Sequence, residues 1–160
     1  MIKIDSREQA NLHILKYFTE HNIQFFDDTM DFGDYENILS DKKIVVERKK
    51  SLIEFANNVG KGHARFKAEL ERAKELGYKV VILIEEIFDY IDLLFWNNPK
   101  SKLKHRVLKD GTKKEIRPIT GTQIYRVCEN WKTKYDIEFK FCSQGQSPKE
   151  ILKILGVIYE

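Results

Sequence analysis

The sequence predicts an α/β domain with a mixed central β-sheet flanked by α-helices. Three observations carry this. Strand-like and helix-like segments alternate along the chain. The run Lys79-Val80-Val81-Ile82-Leu83-Ile84 is apolar without alternation, as in a strand buried on both faces. Polar capping patterns precede the helical segments. A length of 160 residues suits one domain with a hydrophobic core.

Ile2-Lys3-Ile4 reads as a short strand. Ser6-Arg7-Glu8-Gln9 is a capping-box pattern, and Leu12, Leu15 and Phe18 follow at helical spacing, so a helix is expected to run to about His21. Ile23 to Phe26 is a second strand. Residues 33–39 and 43–49 form a hairpin around Ser40-Asp41. Ser51-Leu52-Ile53-Glu54, another capping box, opens a short helix that Gly60-Lys61-Gly62 breaks. A longer helix follows with Phe66, Leu70 and Ala73 inward, and Gly77 ends it. Beyond the apolar strand lies a mixed region. Thr120-Gly121-Thr122-Gln123 then starts a helix carrying Ile124, Val127, Cys128 and Trp131, and Ile137 to Phe141 is a strand. Ser147-Pro148-Lys149-Glu150 caps the last helix, with proline at its favoured first position.

No apolar run is long enough to cross a bilayer, and Met1-Ile2-Lys3-Ile4-Asp5 does not read as a signal peptide. Cys128 and Cys142 are too few for a disulfide framework or a zinc site, and read as buried free thiols in a reducing cytoplasm. Between Asn97 and Pro118, eight Lys and Arg stand against Asp110 and Glu115, a net +6. The whole chain carries +3, which leaves −3 elsewhere. A basic arm on a slightly acidic body suits a phosphate backbone, and equally describes a solvated surface loop.

The hairpin carries the chemistry. With a two-residue turn at 40–41, paired residues have numbers summing to 81, which sets Asp34 opposite Glu47. Their Cβ atoms would lie about 4.5–5.5 Å apart, where like charges repel. A divalent cation turns that cost into binding, and paired carboxylates suit a hard ion such as Mg²⁺ (or Mn²⁺). Strand alternation puts Lys49 on the face of Glu47 and sends Arg48 the other way. A lysine there can hold or help deprotonate an attacking water, or neutralise a phosphate. The competing reading is a solvated hairpin end, which the apolar Ile44-Val45-Val46 opposes.

These residues resemble the nuclease domain of the XPF-type structure-specific endonucleases, the family of XPF and archaeal Hef. The family motif is Gly-Asp, a variable gap, then Glu-Arg-Lys-x-x-x-Asp. Gly33-Asp34 and Glu47-Arg48-Lys49 match it; Ile53 replaces the last acid, beside Glu54. Further matches are Asp5-Ser6-Arg7-Glu8, then Arg65-Phe66, Glu69 and Arg72-Ala73, and the strand from Val80 to Glu85. The resemblance implies a restriction-endonuclease-like fold and Mg²⁺- or Mn²⁺-dependent cleavage of branched, flap or junction DNA. It suggests Asp34, Glu47, Asp5 and the Arg48 main-chain carbonyl as metal ligands, with Lys49 beside the water. Arg7, Arg65 and Arg72 would contact phosphate or brace the carboxylates, with Glu8 and Glu69 in support. It covers residues 1–86 of an expected single nuclease domain, followed by the basic arm at 97–118 and a helix-strand-helix at 120–160. No helix-hairpin-helix module is expected, which suits a stand-alone form of the small kind found in bacteria and phages. A homodimer is left open.

Several features have two readings. Arg65, Glu69 and Arg72 share one helical face, as a site-facing stripe or an ion-pair ladder. Lys61 is a phosphate contact or part of a plain helix break. Phe95-Trp96 suits core or dimer packing better than base stacking. Histidines 13, 21, 63 and 105 show no ligand spacing, and no glycine-rich loop follows a strand, so no nucleotide cofactor is expected. The alternative to an endonuclease is a catalytically silent DNA-binding or scaffold subunit on the same fold.

Overall fold

The computed structural model describes residues 1–60, 63–99 and 104–159. Its elements are β1 (Ile2–Asp5), α1 (Leu12–Glu20), β2 (Phe25–Asp28), β3 (Tyr35–Asn37), β4 (Ile44–Lys49), α2 (Leu52–Val59), α3 (His63–Glu75), β5 (Lys79–Ile84), a 3-10 helix (Tyr90–Phe95), β6 (Lys104–Val107), β7 (Lys113–Ile116), α4 (Gly121–Tyr135), β8 (Glu138–Phe141) and α5 (Ser147–Ile154). The main sheet has the order β2-β1-β3-β4-β5-β8, and β6-β7 is a separate antiparallel ribbon. In the main sheet β3 alone runs against its neighbours. The C-terminal ends of β1, β4, β5 and β8 therefore share one edge of the sheet, together with the start of β3.

Alternation along the central strands divides the core into two layers. Val45, Val80, Ile82 and Ile84 pack under α2, α3 and α4, around Phe55, Phe66 and Trp131. Val46, Leu83 and Tyr35 pack under α1 and α5, against Ile14, Phe18, Ile151 and Leu152. The continuous apolar run of β5 is buried on both faces, as its composition requires. Both cysteines are free and buried, as expected. Among the described residues no helix is long and apolar enough to cross a membrane.

The hairpin register holds: Tyr35 pairs with Val46 and Glu36 with Val45. The turn does not. The strands stop at Asn37 and restart at Ile44, so residues 38–43 form a longer loop. The first helix also differs from expectation. It starts at Leu12, behind an Asn11 N-cap that makes no side-chain cap bond. Glu8 and the Gln9 carbonyl are drawn to Arg48 instead, which holds residues 6–10 out of a helix. Leu12 is consequently 79% exposed, and Ile14 and Phe18 form the buried face. The second strand is shifted to Phe25–Asp28. Ser147 lies inside α5 rather than capping it; its hydroxyl donates to Glu85. Ser51 does cap α2, but Glu54 accepts from the Lys50 N–H one residue before the cap. The Thr120–Gln123 capping box at α4 is reciprocal, as expected.

Gly121, the first residue of α4, packs against the 3-10 helix. A Cβ there would sit 2.0 Å from the Leu93 carbonyl oxygen and 2.9 Å from that of Trp96. Gly121→Ala is therefore expected to destabilise the fold by about 1–3 kcal/mol, read as a lowered denaturant midpoint. An unchanged midpoint would show that this junction yields freely.

Candidate active site

The shared sheet edge opens into a cleft of about 290 Å³, lined by Asp5, Arg7, Asp34, Glu47, Lys49 and, from the facing helices, Asn58, Arg65, Phe66 and Glu69. Asp34 reaches it through a backbone irregularity. Gly33 has φ +72°, and its Cα lies so near Val45 that an added Cβ would stand 2.9 Å from the valine Cβ. Only glycine takes that conformation at that distance without strain. The Asp34 N–H then donates to the Val46 carbonyl, and Asp34 Oδ2 accepts the Arg48 N–H at 2.7 Å. A residue's N–H and C=O face the same neighbour in a strand, so the Arg48 carbonyl is also turned toward Asp34.

Glu47 and Lys49 lie on the same face of β4, both buried, with Lys49 Nζ donating to Glu47 Oε1 at 2.6 Å. The ammonium also sits 5.0 Å from the Phe66 ring centroid. Asp34 is half-buried where it lines the cleft. Burial, then the Glu47 charge, pushes its carboxyl well above the usual range. Burial raises Glu47 too, against the pull of Lys49. Burial would lower the Lys49 ammonium, but Glu47 and Asp34 hold it above its ordinary value. Two desolvated acids thus share one lysine, an excess of negative charge that an added cation would relieve.

Asp5 is differently placed. Burial would raise its carboxyl, but Arg7 outweighs this and lowers it. Arg7 donates from its main-chain N–H and Nε to Oδ1, at 2.9 and 3.0 Å, and from Nη2 to Oδ2 at 2.6 Å. Among the described residues no three His, Cys, Asp or Glu side chains converge as a metal-holding group. The donors that do suit a hard cation are oxygens: Asp34, Glu47 and Asn58, whose buried Oδ1 has no hydrogen-bond partner among the described residues.

Arg65 is exposed and donates to Glu69 at 3.1 Å, so for these two residues the cleft-facing position and the ion pair coexist. Arg72 donates to the Asp31 carbonyl, bracing the loop before Gly33 rather than lining the cleft. Lys61 lies outside the described residues. Glu8 is on the opposite sheet face, where it accepts from Arg48 Nε at 2.5 Å. There Arg48 Nη1 also donates to Glu85 Oε2 at 3.0 Å. The other Glu85 oxygen takes the Ser147 hydroxyl at 2.6 Å, with His13 Nε2 at 2.7 Å. Sequence reasoning missed Asn58, His13, Glu85 and Ser147 as parts of the site or its support. The apolar strand ending in an acid was the one local signal for any of them.

Residues 4–155 match the model of the ERCC4 domain. Among solved structures, XPF from Aeropyrum pernix is similar over 98% of this chain and 65% of its own, with TM-score 0.63 and 18% identity. The same protein in complex with DNA is similar over 97% of this chain and 62% of its own, again with TM-score 0.63 and 18% identity. The chain thus spans just under two thirds of each. No match is found among curated proteins. The structural likeness establishes the restriction-endonuclease-like fold, and the family match covers nearly the whole chain: it belongs to the ERCC4 domain family of XPF-type nuclease domains.

Proposed function

We propose that the protein is a divalent-metal-dependent DNA endonuclease acting on branched, flap or single-strand/duplex junction DNA. The observation that carries this reading is the confinement of Asp34, Glu47 and Lys49 to one cleft, where two repelling acids share one buried lysine. Asp34 and Glu47 would hold Mg²⁺ or Mn²⁺, with the Arg48 carbonyl and Asn58 Oδ1 as neutral oxygen donors. Bound there, the ion supplies Lewis-acid polarisation of a phosphodiester and a water of lowered pKa.

The chain's own residues do the rest. Lys49, held charged by its neighbours, supplies positive charge against the phosphate rather than acting as a base. Phe66 covers its flank and narrows water access. Arg65, exposed at the rim, and Arg7 offer guanidinium donors to the DNA backbone. The Asp5–Arg7 pair braces the β1 end of the cleft; Asp5 joins the donor set only if Arg7 turns away to a phosphate.

Purified protein incubated with flap, fork and four-way-junction DNA is expected to cut at least one of them in Mg²⁺ or Mn²⁺. Glu47→Gln should lower the rate about 10²–10³-fold and remove the calorimetric signal of metal binding. No cleavage in either metal, or cleavage unaffected by Glu47→Gln, would overturn the proposal.

A further inference from the structure

The chain between β5 and β8 leaves the sheet at the same edge as the carboxylates. It forms the 3-10 helix and the β6-β7 ribbon, and returns through α4 to begin β8. The 3-10 helix at the ribbon's root packs on α4 and β8, and β8 is one strand beyond β5, the neighbour of Glu47 and Lys49. At that root an open cleft of about 460 Å³ is walled by Trp96, Asn97, Arg117, Pro118 and Ile119. Its lining is mainly apolar, its indole is partly exposed, and Asn98 Nδ2 fastens one wall to the other through the Ile119 carbonyl at 3.0 Å. On the ribbon Lys109, Lys113 and Lys114 are exposed, and their side chains make no hydrogen bond or ion pair within the described residues. Alternation puts Lys113 on the β7 face of Glu115, which lines the cleft with Arg117, and Lys114 on the other face, while Lys109 lies in the turn. The two local acids are engaged: Glu115 accepts from Arg117 at 2.9 Å, and Asp110 from the Thr112 N–H at 2.9 Å. A mainly apolar slot with an indole wall, continued along one ribbon face by Arg117 and Lys113, matches a nucleobase attached to a phosphate chain.

We infer that one face of the ribbon and the slot at its root form a single-strand holding site, in which an unpaired base of the DNA stacks on Trp96 while the adjoining phosphates lie along Arg117 and Lys113. The site rests on the nuclease reading above and deepens it. A junction substrate would be engaged at two points of one sheet edge, the scissile phosphate at the carboxylates and an unpaired arm at the ribbon.

The test uses the full chain in a metal chelator, so that binding is read without cleavage. The probe is a single-stranded oligonucleotide carrying 2-aminopurine, whose fluorescence is quenched by stacking. Wild type is expected to bind and quench it. Trp96→Leu should bind about tenfold more weakly and lose the quench, with the salt dependence unchanged. Lys113→Glu, at an exposed position, should weaken binding and reduce the log–log salt slope by about 1. If both variants bind and quench like wild type while wild type cuts junction DNA in Mg²⁺, the holding site is overturned and the nuclease reading stands. If wild type neither binds DNA in chelator nor cuts it in metal, the nuclease reading itself falls.

Discussion

Asp34→Asn is expected to raise the thermal midpoint of the metal-free protein while lowering DNA cleavage by about 10²–10³-fold. Both effects have one cause. The Asp34 carboxyl is raised well above its ordinary value, by burial first and by Glu47 second. Its folded pKa exceeds its unfolded one, so the folded state binds the proton more tightly. The resulting cost is absent below the unfolded pKa, grows as pH climbs between the two values, and is complete above the folded one. At any pH above the unfolded value this linkage opposes folding. Asparagine removes one charge, keeps an oxygen for the Arg48 N–H, and can turn its amide toward Glu47. Mg²⁺ should reverse the ranking, because a ligand held only by the folded state adds about 2.7 kcal/mol at 100 times its Kd. Thermal melts in chelator and in Mg²⁺, over a range of pH, read all three effects. An asparagine variant less stable than wild type in chelator, or equal stabilisation of both by Mg²⁺, would rule out the shared-ion account.

This trade between stability and site chemistry was legible in the sequence, since it depends on neighbours across one hairpin. The apolar Ile44-Val45-Val46 and the spacing of Asp34 and Glu47 imply a register that the Tyr35–Val46 pairing bears out. Asp34 itself lies just before β3, so its exact approach depends on the positive φ of Gly33. The α3 face of Phe66, Leu70 and Ala73 was equally readable, because helical periodicity is local. What escaped was set by distant partners. The Ser6-to-Gln9 pattern is a competent helix start, but Arg48, some 40 positions on, takes Glu8 for an ion pair. Ser147 precedes a proline at a helix start, yet its hydroxyl is committed to Glu85, 62 positions away. Asn58 belongs to an ordinary amphipathic helix, and nothing local marks its oxygen as unpartnered. In the first two cases local propensity yields to a buried charge that must be paired.

Arg48→Ala is expected to destabilise the fold by about 3–5 kcal/mol, the other large effect. The Arg48 side chain is 3% exposed and its partners Glu8 and Glu85 are 10% and 1% exposed. Burial works against the guanidinium charge, and Glu8 first among its neighbours more than restores it. Truncation would leave two carboxylates sealed under α1 and α5 without their cation, and the Gln9 carbonyl without its donor. Arg48→Lys keeps the charge but cannot reach Glu8, Glu85 and Gln9 at once, so it should recover only part of the loss. Arg48→Met combined with Glu8→Gln and Glu85→Gln removes both charge signs together, and should cost less than Arg48→Met alone. Urea midpoints for this series measure the balance. Its link to catalysis is geometric: Glu47 and Lys49 flank Arg48 on the same strand and face the cleft. The guanidinium thus holds from behind the segment that carries the acid and the lysine. A variant such as Arg48→Lys, still folded at the assay temperature, should lose kcat rather than raise KM, because the acids shift while the rim arginines remain. Equal stability of Arg48→Ala and wild type would mean that Glu8 and Glu85 find other partners, and the strand would then need a different anchor.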